Sequence, residues 1–287
     1  VATPHEQLTS KAAQWKVAIA EILETEGSLL GFGLSNGNRV VLKVSSLSDE
    51  KHSGSVLRAF QGAGTVRVFE SDHGAVLLER LDPATELVEL VRAGRDDEAT
   101  HVLAKTIGLM ANHEPPPGCP TLFDWARAFD RYISEHSNGP VSLHQVHEAA
   151  GIYRDLATTQ RQTMLLHGDL HHYNVLFDSK RGWIAIDPKG VVGELEYELG
   201  AIIRNPVELP DFYVSRTVIE RRLKQLTDAL GLNYDRALRW TFAQAVLSAI
   251  WDVEDGFRVA SDHPSLRLAE LIRKSEADPP ISTDYTD

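Results

Sequence analysis

The run Leu165-Leu166-His167-Gly168-Asp169-Leu170-His171-His172-Tyr173-Asn174-Val175-Leu176-Phe177 constrains this chain more than any other stretch. Two apolar segments enclose a polar loop rich in His, Asp and Asn. A third segment, Trp183-Ile184-Ala185-Ile186, runs into Asp187-Pro188. Apolar runs this short, bounded by Gly and charged residues, form strands. Strand ends would therefore deliver Asp169, Asn174 and Asp187 to one place. Each of the three alone is an ordinary loop or cap residue; the set at these intervals is not ordinary.

An Asp that precedes an Asn at this interval, with a further Asp closing a later strand, is the arrangement of phosphoryl transfer in kinases. That reaction asks for positioning more than for covalent chemistry. Asp169 is the candidate base that orients and deprotonates an acceptor hydroxyl. Asn174 and Asp187 offer the oxygen ligands that Mg²⁺ prefers. A rival reading makes His167, His171 and His172 zinc ligands, since His at i and i+4 can share a metal on a helix. Gly168 and the flanking strands argue against a helix there. The simpler role for His167 is to brace the loop through hydrogen bonds to backbone.

Upstream, residues 1–10 read as an unanchored lead-in, and Ala13, Val17, Ala20 and Leu23 recur at helical spacing. Asn36-Gly37 lies between two β-rich runs and marks a hairpin. Lys43 falls on its second strand, where a nucleotide lid would need a cation. Gly31 and Gly33 on the first strand are explained as well by a need to permit strand twist. Residues 49–61 read as a helix whose first turn holds Glu50, a candidate partner for Lys43. Residues 66–69 and 75–78 are strand candidates around a turn at Gly74.

From Glu79-Arg80-Leu81-Asp82-Pro83 the strand pattern stops, and the chain to about residue 163 reads helical. Ser142 with Gln145 forms a capping-box pair. After the loop, residues 193–205 and 218–230 read as helices, and Asn233 caps one running to Val253. Residues 278–287 read as a frayed end. A sheet-rich segment over residues 1–80 and a helical one over 81–287 give an α+β fold class with two lobes. The connector at Glu79 and Leu81 would hold a nucleotide base through backbone groups.

Trp251-Asp252-Val253-Glu254-Asp255 follows, with an aromatic and three acids at a helix end. Such a set can cradle ammonium or guanidinium groups. It also reads as a solvated helix end with Trp251 in the core.

A formal net charge of −12 argues against nucleic acid as a partner and suits a cationic small molecule. Cys119 is the single cysteine, so no intrachain disulfide forms and a cytoplasmic location is expected. No apolar run approaches the ~20 residues of a membrane span, and the first residues carry no secretory pattern.

His-Gly-Asp-Leu-His-His-Tyr-Asn followed by Ile-Asp-Pro resembles the aminoglycoside phosphotransferases. The longer run from Gly182 to Glu194 is similar to their streptomycin 6-phosphotransferase and hydroxyurea phosphotransferase branch. Leu57-Arg58-Ala59-Phe60, Gly64-Thr65-Val66-Arg67 and Leu77-Leu78-Glu79-Arg80 extend the likeness over residues 25 to 260. The resemblance implies a protein-kinase-like bilobal fold, with a small antiparallel-sheet N-lobe and a larger, mainly helical C-lobe. It implies ATP and Mg²⁺ as cofactors and an alcohol on a small cationic molecule as acceptor. Carried over by position, Gly27 and Ser28 face the phosphates from the lid, Lys43 contacts the α/β-phosphates, and Glu198 braces the loop. Where many relatives carry His-Glu-Ala this chain has His52-Ser53-Gly54, so the acid that pairs with Lys43 is left open between Glu50 and others.

The expected activity is transfer of the γ-phosphate to a streptomycin-like antibiotic. The alternatives are a metabolic kinase for a sugar, choline or homoserine, and a nucleotide-binding pseudokinase module. Intact Lys43, Asp169, Asn174 and Asp187 weigh against the last.

Overall fold

The computed structural model describes residues 3–25, 27–45, 52–72 and 74–277. Two compact units emerge: Val1–Leu122 with Arg161–Glu198, and Phe123–Gln160 with Leu199–Asp287. This partition differs from one cut at residue 80. The loop stretch and the helices before residue 122 belong with the sheet, because later strands of the chain pair back onto the segment that follows Leu81.

The first unit opens with helix α1 (Pro4–Gln14), where a helix was expected further along and the start was expected to be loose. Thr3 and Glu6 form a reciprocal capping box and Pro4 stands at the first helical position. The helical spacing from Ala13 to Leu23 does not survive beyond Gln14. Lys16 turns the chain at φ 54°, and Ala18–Glu24 becomes strand β1, paired antiparallel with β2 (Ser28–Ser35). Sheet pairing overrides the local period there. At Gly33 a Cβ would lie 2.2 Å from the carbonyl oxygen of Ala18, so that pairing admits no side chain. The need for glycine at this position is thus close approach of β1, where strand twist was expected.

The hairpin at Asn36-Gly37 forms as expected, both residues having positive φ, and leads into β3 (Asn38–Ser45). Strands β4 (Val68–Asp72) and β5 (Ala75–Glu79) complete a five-stranded antiparallel sheet in the order β1-β2-β3-β5-β4. Helix α2 (Ser53–Phe60) precedes them.

Strand alternation gives this sheet two faces. Leu29, Val40, Leu42, Val44, Ala75 and Leu77 pack with Leu8 and Ala12 of α1 into a buried core. The intervening residues Leu30, Phe32, Val41, Lys43, Val76 and Leu78 point the other way and line a cavity. Lys43 is thus on the cavity side by parity: its neighbours Leu42 and Val44 are fully buried among the apolar side chains under α1.

Past the connector the expectation of continuous helix fails at β6 (Pro83–Glu86), which pairs with β8 (Val175–Asp178), itself paired with β9 (Gly182–Ala185). Four residues are too few to show a strand period, and the partner lies far along the chain. Helices α3 (Val88–Arg92) and α4 (Asp96–Met110) follow. Strand β7 (Met164–Leu166) pairs with β10 (Val191–Gly193). These two small sheets hold the His167–Asn174 loop at its two ends.

The second unit is helical, built on α5 (Leu122–Glu135), α6 (Leu143–Thr158), α9 (Arg216–Leu230), α10 (Tyr234–Glu254) and α11 (Pro264–Ala277). Helix α7 (Leu195–Ile203) runs from the last residues of the first unit into the second, and a short α8 (Pro210–Tyr213) belongs to the second. Ser142 stands at the N-cap of α6, but its side chain makes no capping bond, contrary to expectation. Burial of Val146, Ala149, Tyr153 and Leu156 stabilises that helix instead. Asn233 does cap α10, accepting from the Arg236 N–H at 2.8 Å.

Candidate active site

The loop between β7 and β8 is held by a buried acid and a buried imidazole. Glu198, on α7, accepts the N–H of His167 at 2.8 Å and of Gly168 at 3.0 Å. Gly168 takes φ 80°, a conformation that suits glycine, and this turns both amides towards the one carboxylate. Burial pushes the Glu198 carboxyl up to about 7, against the pull of the Gly168, His167 and Leu170 amides. The His167 ring is fully buried, and its Nε2 lies 2.8 Å from the carbonyl oxygen of Ile186. Its Nδ1 accepts the N–H of Asp169 at 3.3 Å. Burial lowers the imidazole to about 4, so the ring is neutral and Nε2 carries the proton. Both ring nitrogens are committed to backbone, which removes His167 from any zinc set. Among the described residues there is no group of three His, Cys, Asp or Glu side chains able to hold a metal.

His167 thereby ties the start of the loop to the end of the later apolar run. Asn174 makes the second tie. Its side-chain amide donates to the Asp169 carbonyl oxygen at 2.9 Å, while its own carbonyl accepts the Ile186 N–H at 2.9 Å. Asp169, Asn174 and Asp187 are consequently neighbours, as the intervals between them implied. Asp187 sits at φ 59°, uncommon for a residue with a Cβ and frequent where function fixes the backbone. Asp169 Oδ2 is 3.8 Å from His171 Nε2 and 3.6 Å from Lys189 Nζ.

A cavity of about 580 Å³ lies against the sheet. Of the residues assigned to nucleotide, Gly27, Ser28, Lys43, Glu79 and Leu81 all line it, together with Asp187. Asp169 and Asn174 are not among its lining residues. Glu50 lies outside the described residues. Lys43 forms an ion pair with Asp187, and Ser53 of α2 lines the cavity where relatives were expected to offer Glu. The apolar floor is Leu57, Val66, Leu81 and Ile184, with Leu78, Leu176 and Ile186 packed on it.

At the connector, the Glu79 and Arg80 amides are used within the unit, on the carbonyls of Arg67 and Arg39. The Leu81 N–H has no partner among the described residues and remains available to a ligand. The candidate oxygen donors Asn174 and Asp187 would suit Mg²⁺, which binds through one or two carboxylates and keeps water and phosphate for the rest. That donor set fits the metal.

Sequence reasoning missed Arg181. This residue reaches from the β8–β9 turn to the Glu79 carboxylate and donates to the carbonyls of Gly62 at 2.7 Å and Thr65 at 3.2 Å. An Arg in a polar turn carries no signal of such reach. It also passed over Lys189, although Lys189 stands two places after Asp187.

In the second unit, Trp251 meets Trp125 edge-on with ring centroids 5.6 Å apart. Asp252 lies 3.2 Å from His263 Nε2. Glu254 receives both arms of the Arg131 guanidinium, at 2.9 and 3.0 Å, and Asp255 closes α10 as an exposed C-cap. The acidic cluster thus contains one carboxylate already neutralised within its own unit. Burial pushes the Cys119 thiol up to about 11, which makes it a poor nucleophile.

The chain is 34% identical over 242 residues to a streptomycin 3''-kinase of Klebsiella pneumoniae, covering 82% of this chain and 88% of that protein. It is 32% identical over 250 residues to a streptomycin 6-kinase of Streptomyces glaucescens, covering 83% and 78%. A hydroxyurea phosphotransferase of Kitasatospora aureofaciens is 31% identical over 246 residues, covering 83% and 69%. The fold matches a choline kinase from Streptococcus pneumoniae with a TM-score of 0.65 at 14% identity, over 96% of this chain and 99% of that one. It also matches a thermostable mutant of the aminoglycoside phosphotransferase APH(4)-Ia, in a ternary complex with ADP and hygromycin B, with a TM-score of 0.63 at 16% identity over 93% of this chain and 97% of that one. The kinase-like fold, with its antiparallel sheet followed by a mainly helical part, is therefore the one expected. The model of the aminoglycoside/hydroxyurea antibiotic resistance kinases matches residues 14–256, and the chain belongs to that family of phosphotransferases.

Proposed function

We propose that this enzyme transfers the γ-phosphoryl group of ATP to a hydroxyl of a streptomycin-type aminoglycoside, inactivating the antibiotic. The observation that carries this reading is the double tie made by Asn174, which holds the backbone of Asp169 and of Ile186 and so keeps the base beside Asp187. Streptomycin 3''- and 6-kinases among the relatives support the acceptor class, and their two different positions are both open to this chain.

In this reading Leu81 N–H binds the nucleotide base, Gly27 and Ser28 border the phosphates, and Lys43 leaves Asp187 to meet the α/β-phosphates. Asn174 and Asp187 would hold Mg²⁺, which neutralises phosphate charge when bound. Asp169 orients the acceptor O–H and takes its proton as the oxygen attacks phosphorus. Glu198 and His167 do no chemistry; they fix the loop so that Asp169 needs no reorganisation. Residues 1–80 act as the nucleotide lid, and residues 81–287 supply the catalytic loop and the acceptor contacts. Trp251, Asp252 and Asp255 receive an ammonium or guanidinium group of the acceptor.

The test is turnover with ATP across streptomycin, other aminoglycosides, hydroxyurea and choline, followed by product mass. Phosphorylated streptomycin is expected, and Asp169→Ala should abolish it while ATP affinity stays within a few-fold. Preferred turnover of choline or hydroxyurea would replace the acceptor, and retained turnover by Asp169→Ala would remove the base.

A further inference from the structure

We propose that Lys189 is a catalytic residue, a cation that contacts the phosphoryl group as it passes to the acceptor. The proposal rests on the phosphotransferase reading above and adds to it a group that neither the loop pattern nor the cavity lining identifies.

Lys189 follows Asp187 by two positions, and its ammonium lies 3.6 Å from Asp169 Oδ2. Its ammonium therefore stands beside the acid that would face the acceptor, two positions along the chain from the acid that would face metal and phosphate. At 3.6 Å the contact is a charge interaction, longer than a hydrogen bond. The side chain is 53% exposed, whereas that of Asp169 is 20% exposed.

The backbone that carries it is fixed on both sides. Ile186 donates to Asn174 and accepts from His167, and Gly190 N–H donates to the His167 carbonyl at 2.9 Å. Gly190 lies so close to Val56 that an added Cβ would stand 2.3 Å from a Val56 methyl. A pinned main chain with a long, half-exposed cationic side chain beside the base is poor economy for stability, because exposed ion pairs contribute little. It suits a charge that must meet a transient partner.

In the step itself a bond forms between the acceptor oxygen and the γ-phosphorus. The bond from that phosphorus to the β–γ bridging oxygen breaks, its electron pair staying on ADP, and the acceptor proton passes to Asp169. Negative charge is spread over the transferring oxygens throughout. Lys189 stabilises it beside the base, while Lys43 is assigned to the α/β-phosphates.

The experiment compares Lys189→Met and Lys189→Arg with the unaltered enzyme. Phosphate transfer to streptomycin and ATP cleavage to water are measured side by side, so that a wrong acceptor does not hide the effect. Binding of AMP-PNP and of ADP with aluminium fluoride, each with Mg²⁺, is measured separately. Lys189→Met should lower kcat at least ~100-fold, leave the KM for ATP within a few-fold, and keep AMP-PNP binding. It should lose the tighter binding of ADP with aluminium fluoride, and Lys189→Arg should recover part of both. Turnover by Lys189→Met within twofold of the unaltered enzyme overturns the proposal. So does equal loss of AMP-PNP and aluminium fluoride complexes, which would mark a structural role. Failure of the unaltered enzyme to phosphorylate streptomycin would touch only the acceptor assignment.

Discussion

Lys43 and Asp187 are joined as an ion pair across 144 residues of chain, the lysine side chain 13% exposed and the aspartate 39%. Ser53 stands at the cavity where a helix acid was expected, and among the described residues Lys43 pairs with the acid assigned to the metal. Nucleotide and Mg²⁺ would have to separate the two, each taking one partner.

Lys43→Met should therefore weaken nucleotide binding about tenfold. The stabilisation that saturating ATP and Mg²⁺ give should shrink by ~1.4 kcal/mol, while the ligand-free protein changes little. Thermal unfolding with and without nucleotide reads both quantities, and an unchanged ligand-induced shift would detach Lys43 from the phosphates.

Glu198 and His167 predict opposing pH dependences within one loop. The His167 ring is held near 4, below its unfolded value of ~6.5. Its contribution is present above pH 6.5 and is lost as pH falls towards 4. The Glu198 carboxyl is held near 7, above its ordinary value, so its contribution is present below pH 4.5 and is lost as pH rises towards 7. In the intact protein the two slopes nearly cancel. Glu198→Gln should expose the His167 slope, losing ~3 kcal/mol between pH 6.5 and 4, and His167→Gln should expose the reverse. Urea unfolding of both variants across pH 4 to 8 tests this; two variants with the same slope would contradict the assignment.

Arg181 should be the costliest single loss outside the hydrophobic core of the first unit. Its guanidinium neutralises Glu79, whose side chain is 16% exposed, and satisfies the carbonyls of Gly62 and Thr65. Arg181→Met leaves a largely buried carboxylate unpaired, at a cost of about 2–4 kcal/mol. Because Glu79 also accepts the Arg67 N–H, the connector should loosen and the KM for ATP should rise. Adding Glu79→Gln to Arg181→Met should recover part of the stability, since the uncompensated charge is then gone.

Much of this architecture was legible because local chemistry and final structure agree. Asn36-Gly37 can turn only one way, Asn233 caps the helix it precedes, and parity along β3 sends Lys43 away from Leu42 and Val44. The loop from His167 to Asn174 was legible as a set because its members are close in sequence. The misses share a physical cause. Strand β6 and the reach of Arg181 are defined by partners on distant segments, and the run from Ala18 to Glu24 is made a strand by pairing with β2. The helix at Pro4–Gln14 had a visible signal, Thr3 and Glu6 around Pro4, but the apolar spacing further along drew the assignment past it. Glu254 was read as an open acid because nothing near it in sequence announces Arg131.

That last pairing separates the acids at the end of α10. Glu254 is held by both arms of Arg131, so a cationic acceptor would have to displace an existing bidentate partner to use it. Asp252 faces His263 instead, at 3.2 Å, and Asp255 is exposed at the helix end. If the acceptor's cations bind here, Asp252→Asn and Asp255→Asn should raise the KM for streptomycin several-fold and leave the KM for ATP unchanged. Glu254→Gln should leave both within about twofold and lower stability by under ~1 kcal/mol, the scale of an exposed pair. Steady-state kinetics with the three variants, each varied against both substrates, distinguishes the outcomes. A rise in the streptomycin KM confined to Glu254→Gln would reverse the ranking, and no change in any of the three would move the acceptor contacts away from α10.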